Sequence, residues 1–244
     1  MTVFGRSDAG MLRHENEDAF GECALTGGDR LAVVCDGMGG EAGGKEAAET
    51  CVSVFISAFE GKELPDEGVL KKTFSAVNAE ILANAEKSGH SRTGTTVVLA
   101  AASRDRVTLL WAGDSRAYLL RGGTLTRITH DHSYVQELVD AGRISEEEAR
   151  THEKRHLVTR AVGAVRTVTP DVRTVAWQTG DRLLLCSDGL FGMVEEKEIA
   201  EILMEEHPPA RTVHELVCAA NSHGGEDNIT VLLLENTEGE LNDA

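Results

Sequence analysis

Apolar residues in the first third of the chain fall in short runs that read as strands: Val3–Ser7, Ala19–Leu25 and Leu31–Cys35. A glycine-rich stretch, Asp36-Gly37-Met38-Gly39-Gly40, leads from the third run into an amphipathic helical period from about Lys45 to Phe59. A second helical period covers Val69–Lys87, after which strand patterning returns at Thr95–Ala102, Val107–Ala112, Ala117–Arg121 and Thr124–Arg127. Arg121-Gly122-Gly123-Thr124 has the composition of a tight hairpin turn. A charged segment from His132 to about His156 is expected to be helical. Beyond it lie strands at Thr174–Trp177 and Arg182–Cys186, helices near Glu195–Glu206 and Pro209–Ser222, and a last strand at Ile229–Leu234.

This order lacks the regular alternation of strand and helix that builds a doubly wound parallel sheet. It predicts antiparallel sheets covered by helices, in the mixed α/β (α+β) class. No Pro/Ser-rich or Gly/Ser-rich linker divides the chain, so a single domain over residues 1–237 is expected, with a frayed acidic tail at 238–244.

Charge removes several functions. The 244 residues carry 24 Lys plus Arg against 41 Asp plus Glu, a formal charge of −17 at pH 7. So acidic a chain repels a phosphate backbone and offers no basic stripe, which argues against a nucleic-acid partner. With 41% hydrophobic residues in clear periodic patterns it still has the means to bury a core. The opening residues lack a charged segment followed by an apolar one, and no apolar run approaches the length of a membrane span. Five cysteines without CxxC spacing (Cys23, Cys35, Cys51, Cys186 and Cys218) fit a reducing compartment and buried thiols. A cytoplasmic protein is expected.

Three apolar runs stop at an aspartate followed by a small residue: Cys35-Asp36-Gly37, Gly113-Asp114-Ser115 and Ser187-Asp188-Gly189. Asp227 reverses the design by preceding its strand. Asp-Gly alone is turn chemistry, but carboxylates held at several strand ends can share one cleft. Gathered there they repel one another until cations neutralise them, and an all-oxygen donor set favours Mg²⁺ or Mn²⁺ over zinc.

Arg13-His14-Glu15-Asn16-Glu17-Asp18, Asp36-Gly37-Met38-Gly39-Gly40, Gly94-Thr95-Thr96, Gly113-Asp114-Ser115-Arg116, Ser187-Asp188-Gly189-Leu190 and Asp227-Asn228 occur in that order along the chain. Together they resemble the metal-dependent Ser/Thr protein phosphatases of the 2C type, most of all the compact bacterial members. The resemblance implies a four-layer α-β-β-α sandwich, with a two-metal centre at one end of the paired sheets. It implies that Asp36 bridges the two ions, that the Gly37 carbonyl binds one of them, and that Asp188 and Asp227 bind the other. Asp18 is then expected to hold water in the metal site, Arg13 to grip the substrate phosphate, and Asp114 to help bind a weaker third ion. The implied reaction is hydrolysis of phosphoserine and phosphothreonine by a hydroxide bridging two Mn²⁺ or Mg²⁺ ions. Phosphoproteins made by a bacterial Ser/Thr kinase are the implied substrates, and a monomer is expected. The segment at about 132–160 matches the family's flap beside the active site.

One departure concerns the leaving group: many eukaryotic relatives have a histidine, similar to a general acid, where this chain has Met38, which carries no transferable proton. His152-Glu153-Lys154-Arg155-His156 matches the zinc motif H-E-x-x-H, but its charged flanks deny it the buried helix that motif requires. His130-Asp131-His132 is expected to be a turn and helix N-cap. The alternative to an enzyme is a pseudophosphatase or regulatory binding module on the same fold, and the full set of acidic residues argues against it.

Overall fold

The computed structural model describes residues 1–39, 43–89 and 93–237. Gly40 and the expected acidic tail at 238–244 lie outside them. Two five-stranded antiparallel sheets form the centre. One has the order β1 (Thr2–Asp8), β12 (Ile229–Glu235), β11 (Arg182–Cys186), β8 (Arg116–Arg121), β9 (Thr124–Arg127). The other has the order β10 (Asp171–Ala176), β7 (Arg106–Ala112), β6 (Val97–Ala102), β3 (Arg30–Cys35), β2 (Ala19–Ala24). A two-residue pairing of β4 (Gly37–Met38) with β5 (Gly94–Thr95) sits at one end.

Because side chains alternate across a strand, each central strand serves two cores. In β3, Leu31, Val33 and Cys35 face α1 (Gly43–Phe59) and α2 (Glu67–Ser88), packing with Cys51, Phe55, Phe74 and Val77. Ala32 and Val34 of the same strand point the other way, into the layer between the sheets with Leu119, Leu183 and Leu232. The outer face of the sheet that holds β11 and β12 contributes Leu184, Val231 and Leu233, which α6 (Glu196–Met204) and α7 (Pro209–Ser222) cover with Ile199, Leu203, Leu216 and Val217. The continuous apolar runs are therefore strands buried on both faces, and the expected α-β-β-α sandwich is what forms.

Local chemistry sets the element ends. Asp66 caps α2 by accepting from the Val69 N–H at 2.8 Å, and Gly89 ends the helix in the left-handed conformation. Gly122 and Gly123, both at positive φ, make the predicted hairpin turn between β8 and β9.

The segment expected to be one helical stretch from His132 to about His156 holds two short helices, α3 (Tyr134–Asp140) and α4 (Glu146–Thr151). Gly142 at φ 65 separates them, and Ser145 with Glu148 forms a capping box that restarts the second. The strand expected over Thr95–Ala102 is interrupted at Thr96, whose N–H donates to the Asp36 carbonyl at 2.8 Å. One helical turn, α5 (Asp188–Phe191), has no counterpart in the sequence pattern, because a single turn shows no periodicity.

Candidate active site

The aspartates predicted from strand ends meet at one end of the sandwich. Asp36 follows β3 and is fixed through its backbone: its N–H donates to Thr96 Oγ1 at 3.0 Å, and the Thr95 hydroxyl donates to its carbonyl at 2.9 Å. Thr96 Oγ1 also shares a 2.7 Å hydrogen bond with Ser115 Oγ, which ties the Gly94-Thr95-Thr96 turn to the loop bearing Asp114. Gly37 packs where a β-carbon would run into the backbone of Gly44 and Glu17, so that position needs a residue without one.

Asp188 begins α5 directly after β11, and its Oδ1 is buried without a protein partner. The neighbouring Ser187 hydroxyl donates to Asp18 Oδ2 at 2.7 Å and accepts from the Thr230 N–H at 3.0 Å. Asp18 Oδ1 is likewise buried and unpartnered. Asp227 lies in the loop before β12, where Arg13 donates to its Oδ2 at 2.8 Å. Asn228 holds that loop to the chain around Arg13: its amide donates to the carbonyls of Ala9 and Glu15, and its Oδ1 accepts from the Glu17 N–H at 2.8 Å. Asp18, Asp36, Asp188, Asp227 and Arg13 thus come together from four separate stretches of chain, while Asp114 flanks them, buried at the end of β7.

The chain from residue 13 to 222 matches the family model described as protein phosphatase 2C. The chain belongs to the protein phosphatase 2C family. A Ser/Thr phosphatase, Stp, of Listeria monocytogenes is 40% identical over 238 residues, covering 94% of each protein. The crystal structure of Ser/Thr phosphatase Stp1 from Staphylococcus aureus superposes with a TM-score of 0.91 at 33% identity, covering 97% of this chain and 95% of that one. The catalytic domain of the phosphatase PstP, solved in complex with two manganese ions, superposes with a TM-score of 0.83 at 36% identity over 95% and 96% of the two chains. The expected enzyme class, a bacterial-type protein Ser/Thr phosphatase, follows from this membership.

In this phosphatase 2C fold the clustered acids raise one another's proton affinity. Burial, then repulsion from Asp18 and Asp188, holds the Asp36 carboxyl well above the usual carboxylate range. Burial also pushes Asp18 up to about 8, with Asp188 and Asp227 adding repulsion against hydrogen bonds from Thr230 and Ser187. Asp188 is raised by burial and by Asp227, and Asp114 by burial, Asp188 and Asp131.

Several site neighbours carry no strong local signal in the sequence. Asp131 takes a bidentate ion pair from Arg116, at 3.0 and 2.7 Å to one oxygen, and Arg116 also stacks 3.7 Å from the Phe191 ring centre. His132 is buried: its N–H donates to the Gly113 carbonyl, and its Nδ1 accepts from the Gly113 N–H at 3.2 Å. Its Nε2–H then points to Asp171 at 3.2 Å, and its ring stacks on Trp111. Asp131 and His132 are therefore a buried brace for the Asp114 loop, His130 is exposed and pairs with Asp140, and the N-cap of α3 is Ser133. The only available clue was a polar triplet directly after a strand.

The H-E-x-x-H segment is not helical, since α4 stops at Thr151 and residues 152–156 form turns. Its two histidines do not share a helix face. His156 is exposed at the rim of the cleft, as its charged flanks foretold. Among the described residues no helix is long and apolar enough to cross a membrane.

Proposed function

We propose that this protein hydrolyses phosphoserine and phosphothreonine in proteins with the help of two divalent cations, Mn²⁺ or Mg²⁺, and that it reverses the work of a bacterial Ser/Thr kinase. The observation that carries the proposal is the gathering of Asp18, Asp36, Asp188 and Asp227, with buried oxygens of Asp18 and Asp188 left unpartnered. Buried and half-buried carboxylates so close together are costly without compensating positive charge, and their oxygen donors suit hard divalent ions. Bound there, such ions supply Lewis acidity toward phosphoryl oxygens and lower the pKa of water to make a nucleophile near neutral pH.

The chain's own residues would divide the remaining tasks. Asp36 would lie between the two cations, with the Gly37 carbonyl toward one and Asp188 and Asp227 toward the other. Asp18, anchored by Ser187, would orient water through its free Oδ1. Asp114 would share a third, weaker ion with Asp188. Arg13 is already drawn into the site by Asp227 and would turn its guanidinium to a phosphate, which it can grip with two parallel hydrogen bonds. Met38 offers no proton to the leaving alkoxide, so water in the cleft would supply it.

The test is hydrolysis of a phosphothreonine peptide with Mn²⁺, with a chelator, and by Asp36→Asn, alongside calorimetric Mn²⁺ binding. Chelation and Asp36→Asn should each cut turnover about a hundredfold or more, since the ions contribute several kcal/mol to the barrier. Asp36→Asn should also weaken Mn²⁺ binding. Turnover that survives chelation would refute the proposal, and tight ion binding without hydrolysis of any phosphopeptide would favour a binding module.

A further inference from the structure

The cleft beside Asp188 is larger than a phosphate group needs. It encloses about 750 Å³ and runs from Arg13 and Asp227 between the α3–α4 segment and the start of α6. Beyond the clustered aspartates, one wall carries Glu146 and Glu147 from the first turn of α4, and the facing wall carries Glu195 and Glu196.

The arginines of these walls are already held in ion pairs; Arg116 and Arg127 lie low, while Arg150 and Arg155 are 41% and 38% exposed. Arg116 is taken by Asp131, Arg127 leans toward Asp131 and Glu146, Arg150 donates to Glu195 at 2.9 Å, and Arg155 donates to Glu226 at 3.3 Å. Side-chain exposure is 16% for Arg116 and 20% for Arg127, against 66% for Glu146 and 71% for Glu195. Glu147 is exposed and has no ion pair among the described residues. Val135, Phe191 and Met193 add apolar surface on which the alkyl stem of a long side chain can lie. What faces an incoming chain is thus a band of carboxylates, each more exposed than the ion-paired arginine beside it.

We propose that this channel receives the polypeptide on one side of the substrate's phosphorylated residue and selects Lys or Arg there over Asp or Glu. The channel's role rests on the phosphoprotein hydrolysis proposed above. It is continuous with the clustered aspartates and Arg13, so a chain whose phosphate reaches them has to pass along it or leave on the opposite side. A basic side chain meets Glu147 directly and can share Glu146 and Glu195 with their arginines. An acidic one meets like charge along both walls, relieved chiefly at Lys197, which is exposed and 3.8 Å from Glu201.

The test uses phosphothreonine peptides of equal length with three Lys or three Glu, placed either before or after the phosphorylated residue. The readout is the ratio of kcat/KM for the Lys peptide to that for the Glu peptide, in the Mn²⁺-loaded protein and in the Glu147→Gln/Glu195→Gln double variant. For one of the two placements the ratio should be about three or more at low salt, and it should shrink as salt screens the exposed charges. The double variant should lose at least half of that preference. A variant that folds poorly loses rate on both peptides and leaves the ratio where it was. Ratios at or below one for both placements, or a ratio unmoved in a double variant that melts at the parent's temperature and keeps its rate on a small aryl phosphate, overturn the channel's role while phosphopeptide hydrolysis stands. Failure to hydrolyse either peptide, or a small aryl phosphate, removes the phosphatase proposal and the channel's role with it.

Discussion

Asp18 offers a direct measure of what the clustered aspartates of the proposed metal site cost the fold when no cation is bound. Its carboxyl is buried, touches only Ser187 and Thr230 as donors, and faces Asp188 and Asp227, which raises it to about 8 from the usual value near 4. A carboxyl raised in the folded state binds a proton there that the unfolded chain has released. Its contribution is complete below the unfolded pKa near 4 and is lost as pH rises toward 8, so stability should fall across that window. One proton over the three pH units from 5 to 8 sets a ceiling of about 4 kcal/mol. Water entering the cleft will reduce this, and about 1–3 kcal/mol is expected.

Asp18→Asn keeps the shape and an acceptor for Ser187 but removes the charge. Urea unfolding in chelator at pH 5, 6, 7 and 8 should therefore show the variant gaining on the parent as pH rises, by about 1–3 kcal/mol at pH 8. For a chain of this length that gain is worth roughly 2–10 °C in Tm. Adding Mn²⁺ should close the gap by stabilising the parent. A constant difference between the two proteins from pH 5 to 8 would refute the argument that Asp18 carries unrelieved charge.

Three further outcomes follow from single residues. Arg13→Ala should lower kcat/KM for phosphopeptides about tenfold to a hundredfold, with Arg13→Lys recovering only part because an ammonium cannot make the paired contact; an unchanged KM and kcat would remove Arg13 from the phosphate site. His132 is lowered by burial, so its contribution to stability should be present above pH 6.5 and fade below it, opposite in sign to Asp18; urea titrations of His132→Leu should lack that acid-side loss and show a constant cost of about 1–3 kcal/mol from the unsatisfied Gly113 N–H. Gly189→Ala places a β-carbon against the Asn228 carbonyl and should destabilise by about 1–3 kcal/mol while weakening Mn²⁺ binding through displaced Asp188; thermal melting and calorimetry would both detect it, and a neutral melt would contradict the packing.

Much of the molecule is legible in the chain because its signals are local. The runs Leu31–Cys35 and Leu183–Cys186 announce buried strands by being apolar at every position, and the helix over residues 43–59 shows its stripe. The aspartates stand out because each breaks an apolar run at a fixed end. The buried brace of His132 on Gly113 and the ion pair of Arg116 with Asp131 join residues 15 or more positions apart. They have no periodicity to betray them. The short α5 and the split of the segment at 134–151 into two helices are likewise settled by caps and by packing on neighbours.

The sequence by itself determined which residues could carry the chemistry: carboxylates at strand ends, an arginine beside Asn16-Glu17-Asp18, and no basic surface for a polyanion. Only the tertiary structure decided that Asp18, Asp36, Asp188 and Asp227 come together at one end of the sandwich, that two of their oxygens lack partners, and that a carboxylate-walled channel leads away from Asp188 and Asp227. The physical reason is range. Side-chain alternation and turn chemistry act over a few residues and are written into the order of the chain. Electrostatic repulsion among aspartates up to 209 positions apart (Asp18 to Asp227) exists only once two sheets have packed and excluded the water between them.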